Sequence, residues 1–220
     1  MIKDTEMKKI LITLIVCTGF FTFATAQKEA KAKELLDKSS AALSSAGDVY
    51  AYFTMNIKDE INKTSQGFDG AILMKGNKFK VDTPDQNIYF DGKTQWVYQK
   101  SYEEVSISEP TAEEIQALNP KSIFAIYKKN CNYKYEGAKT DIKMRKVQEV
   151  NVFPQKGEIT QITIQINDID HLPVMFHVFY KNKLENIIYI NKYQTKQKFS
   201  DNQFVFDSKQ YPNAEINDLR

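Results

Sequence analysis

Residues able to do acid–base, nucleophilic or metal chemistry are few in this chain. Its 220 residues hold two histidines, His171 and His177, and two cysteines, Cys17 and Cys131. That set lacks the paired ligand spacing of a zinc site. His177 alternates with Met175 and Phe179, as a half-exposed or hydrogen-bonded strand residue does. Glu103 and Glu104 are neighbours on a strand pattern, so their carboxylates face apart. The second pair, Glu113-Glu114, closes the run Thr111-Ala112-Glu113-Glu114, a capping box whose ends satisfy each other's N–H groups. No G-x-S-x-G elbow, glycine-rich phosphate loop or Cys–His signature occurs. Lys139, Lys143, Arg145 and Lys146 read as a solvated hairpin, with an anionic membrane surface as the alternative partner. No enzyme and no cofactor are expected. The chemistry that remains is burial of apolar surface.

That surface is concentrated between Phe68 and Tyr98, in four alternating runs: Phe68–Lys75, Lys78–Thr83, Asn87–Asp91 and Thr94–Gln99. Turn signals separate them at Gly76-Asn77, Pro84-Asp85-Gln86 and Asp91-Gly92-Lys93, the Asp-Gly step predicting a type I′ hairpin. Phe68, Ile72 and Met74 share a parity, as do Phe79 with Val81, Ile88 with Phe90, and Trp96 with Tyr98. Side chains two apart share a face, so an antiparallel meander with one aromatic face follows.

Upstream, Lys8 and Lys9 precede the apolar run Ile10–Phe23 and then Ala24-Thr25-Ala26. Residues 1–26 therefore read as a secretory signal peptide, with Gln27 the first mature residue and Met7 the start. The run is short for a bilayer span, which needs ~20 residues. Cys17 follows Val16, not a small residue, so self-lipidation is not expected. Losing the leader removes three lysines and two acids and leaves a nearly balanced chain. That balance argues against a nucleic-acid binder, which would concentrate positive charge. With Cys131 alone remaining, no internal disulfide can form. Residues 27–220 suit one domain, and a monomer is expected.

Lys28–Leu43 carries Ala32, Leu35, Leu36, Ala42 and Leu43 at helical spacing, and Gly47 stops it. Asp48–Lys58 alternates Val49, Ala51, Phe53, Met55 and Ile57 against polar and tyrosine positions. Glu104–Ser108 is a further strand, after which the pattern breaks. A short helix runs to Leu118, and Asn119-Pro120 restarts another over Lys121–Lys128, bearing Ile123, Phe124, Ile126 and Tyr127. A helix this short must pack on something. Strands return at Tyr133–Tyr135, Lys146–Phe153, Glu158–Asp168, His171–Tyr180 and Leu184–Phe199. About eleven sequentially joined antiparallel strands without βαβ alternation predict a mainly β fold: an up-and-down barrel or strongly curled sheet. Alternation alone allows two fillings of its apolar face, a packed core or a ligand cavity. The strands outnumber the helical material available as filler, which tilts the reading towards a cavity.

Three runs together resemble the periplasmic lipoprotein carrier family of LolA type. They are Lys75-Gly76-Asn77-Lys78-Phe79, then Thr83-Pro84-Asp85-Gln86, then Phe90-Asp91-Gly92-Lys93-Thr94-Gln95-Trp96-Val97-Tyr98. The tail from Phe204-Val205-Phe206 to Ile216-Asn217-Asp218-Leu219-Arg220 is similar as well. The resemblance implies an incompletely closed antiparallel β-barrel, with helices capping a hydrophobic cavity. It implies a carrier that takes lipoprotein acyl chains from an inner-membrane ABC-type release complex to an outer-membrane acceptor. The cavity expected from it is lined by Phe53, Met55, Phe68, Ile72, Met74 and Phe79 on the early strands. Val81, Ile88, Phe90 and Trp96 continue it, and Ile162, Ile164, Phe176, Val178 and Ile188 complete it on the later strands. The lid is expected from Leu35 and Leu36 together with Ile123, Phe124 and Tyr127. The family's proteobacterial members hold the lid with an arginine in the turn where Lys75-Gly76 stands here, one residue shorter, so that arginine is not carried over. Two competing readings stand beside the carrier: an envelope sensor or adaptor on the same fold, and an isomerase-like or polymer-modifying subunit without an acid–base pair.

Overall fold

The computed structural model describes residues 27–111, 115, 127–128 and 130–220. The expected signal peptide and the lid residues Ile123 and Phe124 lie outside the described residues.

Helix α1 covers residues 27–45. Its buried positions, Ala32, Leu35, Leu36, Ser39 and Leu43, with Ala46 just past its end, follow the i, i+3, i+4, i+7 rhythm of a single apolar stripe. The opposite face carries the pairs Lys31–Glu34 (3.1 Å), Lys33–Asp37 (2.7 Å) and Lys38–Glu34 (2.7 Å). Such exposed pairs add a few tenths of a kcal/mol each, so packing of the stripe dominates. Gly47 at φ +70° ends the helix, in the left-handed region that glycine adopts without cost.

The rest is one open twelve-stranded sheet, built from two meanders. The first comprises β1 (Asp48–Asp59), β2 (Thr64–Lys75), β3 (Lys78–Asp82), β4 (Gln86–Phe90), β5 (Gln95–Gln99) and β6 (Glu104–Ser108). The second comprises β7 (Cys131–Thr140), β8 (Lys146–Pro154), β9 (Ile159–Asn167), β10 (Pro173–Tyr180) and β11 (Leu184–Gln197). Pairing of β1 with β11 joins them into the order β12-β6-β5-β4-β3-β2-β1-β11-β10-β9-β8-β7. The expected curled, incompletely closed sheet with an N-terminal helix is what forms.

The twelfth strand, β12 (Glu215–Asp218), escapes a reading by pattern because it holds one apolar residue and shows no alternation. Backbone bonding makes it: it runs parallel to β6, the Glu215 N–H donating to the Glu103 carbonyl (2.8 Å) and the Leu219 N–H to that of Ile107 (2.8 Å). The turn at the Asp91-Gly92 step also differs from the expected type I′: Gly92 (φ +104°) is positive while Asp91 and Lys93 are not, the type II′ pattern with glycine first.

Between β11 and β12 the chain crosses the outer face of the first meander as a strap. Asp201 pairs with Lys75 and Lys78 (2.8 Å each), and Phe204 is fully buried. Phe206 then packs on Tyr89 and Tyr98, and Tyr211 stacks on Phe206 and hydrogen-bonds Tyr89 (3.3 Å) and Asn87 (3.2 Å).

Candidate functional site: an apolar floor under a helical roof

The concave face can be read from the register, since directly opposed residues share a face. One row, Phe68–Met55–Ile188–Phe176–Ile164–Val150–Tyr135, crosses β2, β1, β11, β10, β9, β8 and β7 without a polar side chain other than the terminal tyrosine. Beside it, Val178 faces Ile162 and Val152. On the first meander, Ile72 faces Val81 and Ile88, and Met74 faces Phe79 and Phe90. Phe53 lies across from Gly70, where an added Cβ would come within 2.5 Å of the ring, so glycine is what lets the phenyl lie down on the floor.

Fourteen of the fifteen expected cavity residues therefore share one face. Trp96 does not. It stands opposite Tyr89 and Ile107, with the parity of Tyr98, on the outer face where the strap lies. The floor position on β5 is Val97, paired with Ile88. The aromatic alternation of β5 predicts a core row, but the cover for that row comes from the distant strap, which no local pattern announces.

The floor is covered. Phe79, Ile162 and Phe176 are 0% exposed, and Leu35, Leu36 and Leu43 of α1 belong to the same buried cluster. Leu35 and Leu36 thus sit within the floor's packing. Met55, Phe68 and Ile188 are only partly buried and mark the end of the floor that the roof leaves thinnest. An open groove of about 550 Å³ lies beside the start of α1, bordered by Gln27, Ala30, Lys31, Glu34 and Tyr135.

The connection from β6 to β7 joins opposite ends of the sheet. It leaves Ser108 near one edge of the sheet and enters Cys131 on the opposite edge strand. Both of its described anchor points rest on the concave side. Ile115 packs against the core cluster, its N–H bonded to the Thr111 carbonyl (3.1 Å). Tyr127 is 2% exposed, its hydroxyl donating to Asp37 of α1 (2.8 Å) while its carbonyl accepts from the Tyr133 hydroxyl of β7. Burial first, and then the bond to Asp37, push the Tyr127 hydroxyl up to about 12. The bond to Lys33 leads the causes that hold the Asp37 carboxyl below its usual range. Apolar spacing marks Tyr127 in the sequence, whereas Asp37 looks there like an ordinary solvated residue.

Other candidates resolve into structure. Lys75 serves the strap: its ammonium donates to the Phe199 carbonyl (2.6 Å) and pairs with Asp201. In the basic hairpin, Arg145 is tied to Asp141, Lys139 to Glu149, and Lys143 to Asn191. His177 pairs with Glu185 (2.8 Å) and stacks on Phe179. Burial raises the Cys131 thiol, away from reactive thiolate character. Among the described residues, no group of three His, Cys, Asp or Glu is placed to hold a metal ion.

The family model described as outer membrane lipoprotein carrier protein LolA matches residues 20–169. The chain belongs to the LolA family. Its fold is similar to that of an uncharacterized conserved protein from Thermus thermophilus, with a TM-score of 0.57 at 13% identity, covering 86% of this chain and 99% of that one. LprF from Mycobacterium bovis is similar with a TM-score of 0.49 at 11% identity, covering 78% of this chain and 96% of LprF. A LolA superfamily protein from Nitrosomonas europaea is similar with a TM-score of 0.44 at 11% identity, covering 80% of this chain and 98% of that one. No curated protein sequence matches the chain significantly.

Proposed function

We propose that this LolA-family protein is an exported carrier that shields the acyl chains of lipoproteins on their way from the inner to the outer membrane. The observation that carries the reading is the floor itself. An apolar row spans seven strands, covered among the described residues by the amphipathic helix α1 together with Ile115 and Tyr127. A roof of that kind can lift without unpairing a strand. The energetic need is large. Three acyl chains carry on the order of 45 methylenes, and at ~0.8 kcal/mol each they represent roughly 36 kcal/mol that cannot cross water uncovered.

In this reading the closed state is the empty one. Acyl chains enter at the Met55–Phe68–Ile188 end, displace the roof and take over its contacts with the floor. Met and Phe side chains there adapt to chains of varied shape. Delivery requires the acceptor to win, so the site binds by area, with modest affinity. The partners are then an inner-membrane release complex and an outer-membrane acceptor, and the working location is the periplasm.

The test is mass spectrometry of what copurifies with the protein from the periplasm. Acylated lipoprotein in stoichiometric amount supports the carrier. A protein partner without lipid would favour the sensor or adaptor and overturn it. Phe124→Ser, between Ile115 and Tyr127 in the sequence, should lower cargo retention without lowering Tm, whereas an ordinary core phenylalanine would cost ~3–5 kcal/mol.

A further inference from the structure

The floor is not apolar to both edges. Towards β7 it ends in Val150–Tyr135 and Val152–Tyr133. Towards β6 its rows change character: Met74–Phe79–Phe90 continues as Gln95–Ser108, and Ile72–Val81–Ile88–Val97 ends in Ser106. One pair further along the strands, Gln86, Gln99 and Glu104 stand opposed on the same face. Gln95 is 8% exposed, while Ser106 and Ser108 are half-buried. Beside Phe90 an apolar residue would serve a plain core better than this carboxamide.

This stripe has a definite chemistry. Carboxamides and hydroxyls donate and accept, so they match neutral groups that do both, such as amides, esters and hydroxyls. None of these six cross-strand positions carries a cation. Glu104 adds a negative charge, and nearby Lys93 is committed to Glu109 (3.0 Å). A phosphate held by these six side chains would meet a carboxylate and no cation among them, the neighbouring Lys93 and Arg220 being paired with Glu109 and Asp218. The ester and amide junction at which acyl chains join a peptide carries no phosphate and fits.

We propose that Gln95, Ser106 and Ser108 hold the neutral polar junction of an acylated peptide while its chains lie on the floor, so that the site selects lipid-modified protein over phospholipid. The inference rests on the carrier reading and names the residues that would choose its cargo. Acyl chains are common to both lipids and give no discrimination. Two or three bonds made by one head and refused by the other supply it, each about fivefold at ~1 kcal/mol.

The experiment is displacement of a fluorescent fatty-acid reporter from the purified protein. The competitors are a triacylated cysteinyl lipopeptide and phosphatidylglycerol of matched chain length. The lipopeptide should compete at a concentration about tenfold or more below that of phosphatidylglycerol. In Gln95→Leu, and in the gentler double variant Ser106→Ala/Ser108→Ala, that ratio should fall to about threefold or less, each competition being referred to that variant's own reporter affinity. Circular dichroism and Tm identify any variant that has not folded, and the double serine variant keeps the ratio readable in that case. An equal ratio in the unaltered protein, or one unchanged in both variants, overturns the junction site and leaves the carrier standing. A reporter that never binds overturns the carrier reading, and this inference with it.

Discussion

Trp96 and Gln95 are neighbours that face opposite ways, and the difference can be measured. Trp96 is the single tryptophan and lies on the outer face. Its emission maximum should hold steady when a lipopeptide fills the floor, where a tryptophan in the cavity would shift blue. Tyr127→Phe removes the bond to Asp37 while keeping the ring. It should cost about 1 kcal/mol, a fall of about 2–4 °C in Tm. Asp201 gives a pH dependence. Its bonds to Lys75 and then Lys78 hold the carboxyl at about 2, below the ordinary 3.8. A carboxyl with a depressed folded pKa stabilises the fold above its unfolded value and stops doing so as protons bind. The strap's tether should therefore be complete above about pH 4 and lost progressively towards about pH 2, read as faster proteolysis at residues 198–204 by an acid protease. Asp201→Asn should make that cleavage rate flat across the same window.

The strap decides which face of the first meander is core, since Tyr89 and Tyr98 are buried by Phe206 and Tyr211 on the side away from the floor. Its anchor is Phe204, fully buried close to β3. Phe204→Ala should cost ~3–5 kcal/mol, about 10 °C in Tm, through the cavity it leaves. Denaturant midpoints would check this. A loss under about 1 kcal/mol would mean that the strap is an ornament on a sheet stable without it. Helix α1 covers the other face. Its stripe is plain in the spacing of Leu35, Leu36 and Leu43, since packing demands one apolar face. Its path from the β1 end to the neighbourhood of Tyr135 is not, because a stripe says that a helix packs and not on what.

At the scale of the molecule, the sheet and its roof should separate in dynamics. The β1–β11 pair joins the two meanders through eleven opposed positions, from Asp48–Gln197 to Asp59–Leu184. It should carry the highest amide protection in the chain. Cargo that lifts the roof should speed exchange in residues 27–45 and leave β1 and β11 unchanged. Uniform slowing of both would show a ligand bound elsewhere on a closed protein.

Alternation and turn residues by themselves determined eleven strands, the leading helix and the absence of βαβ crossovers. Each is a local consequence of side chains two or four residues apart sharing a face. The sequence likewise carried family membership, through the runs from Lys75 to Tyr98. Tertiary structure alone decided what lies between distant segments: the parallel pairing of β12 with β6, the capture of Lys75 by the strap, the Tyr127–Asp37 bond and the side on which Trp96 lies. Those depend on contacts from 90 to 126 residues apart, where no periodicity reaches. Even the polar stripe was present in the alternation of Gln95, Val97 and Gln99. It became a site only when pairing set it at the end of rows that begin with Ile72 and Met74.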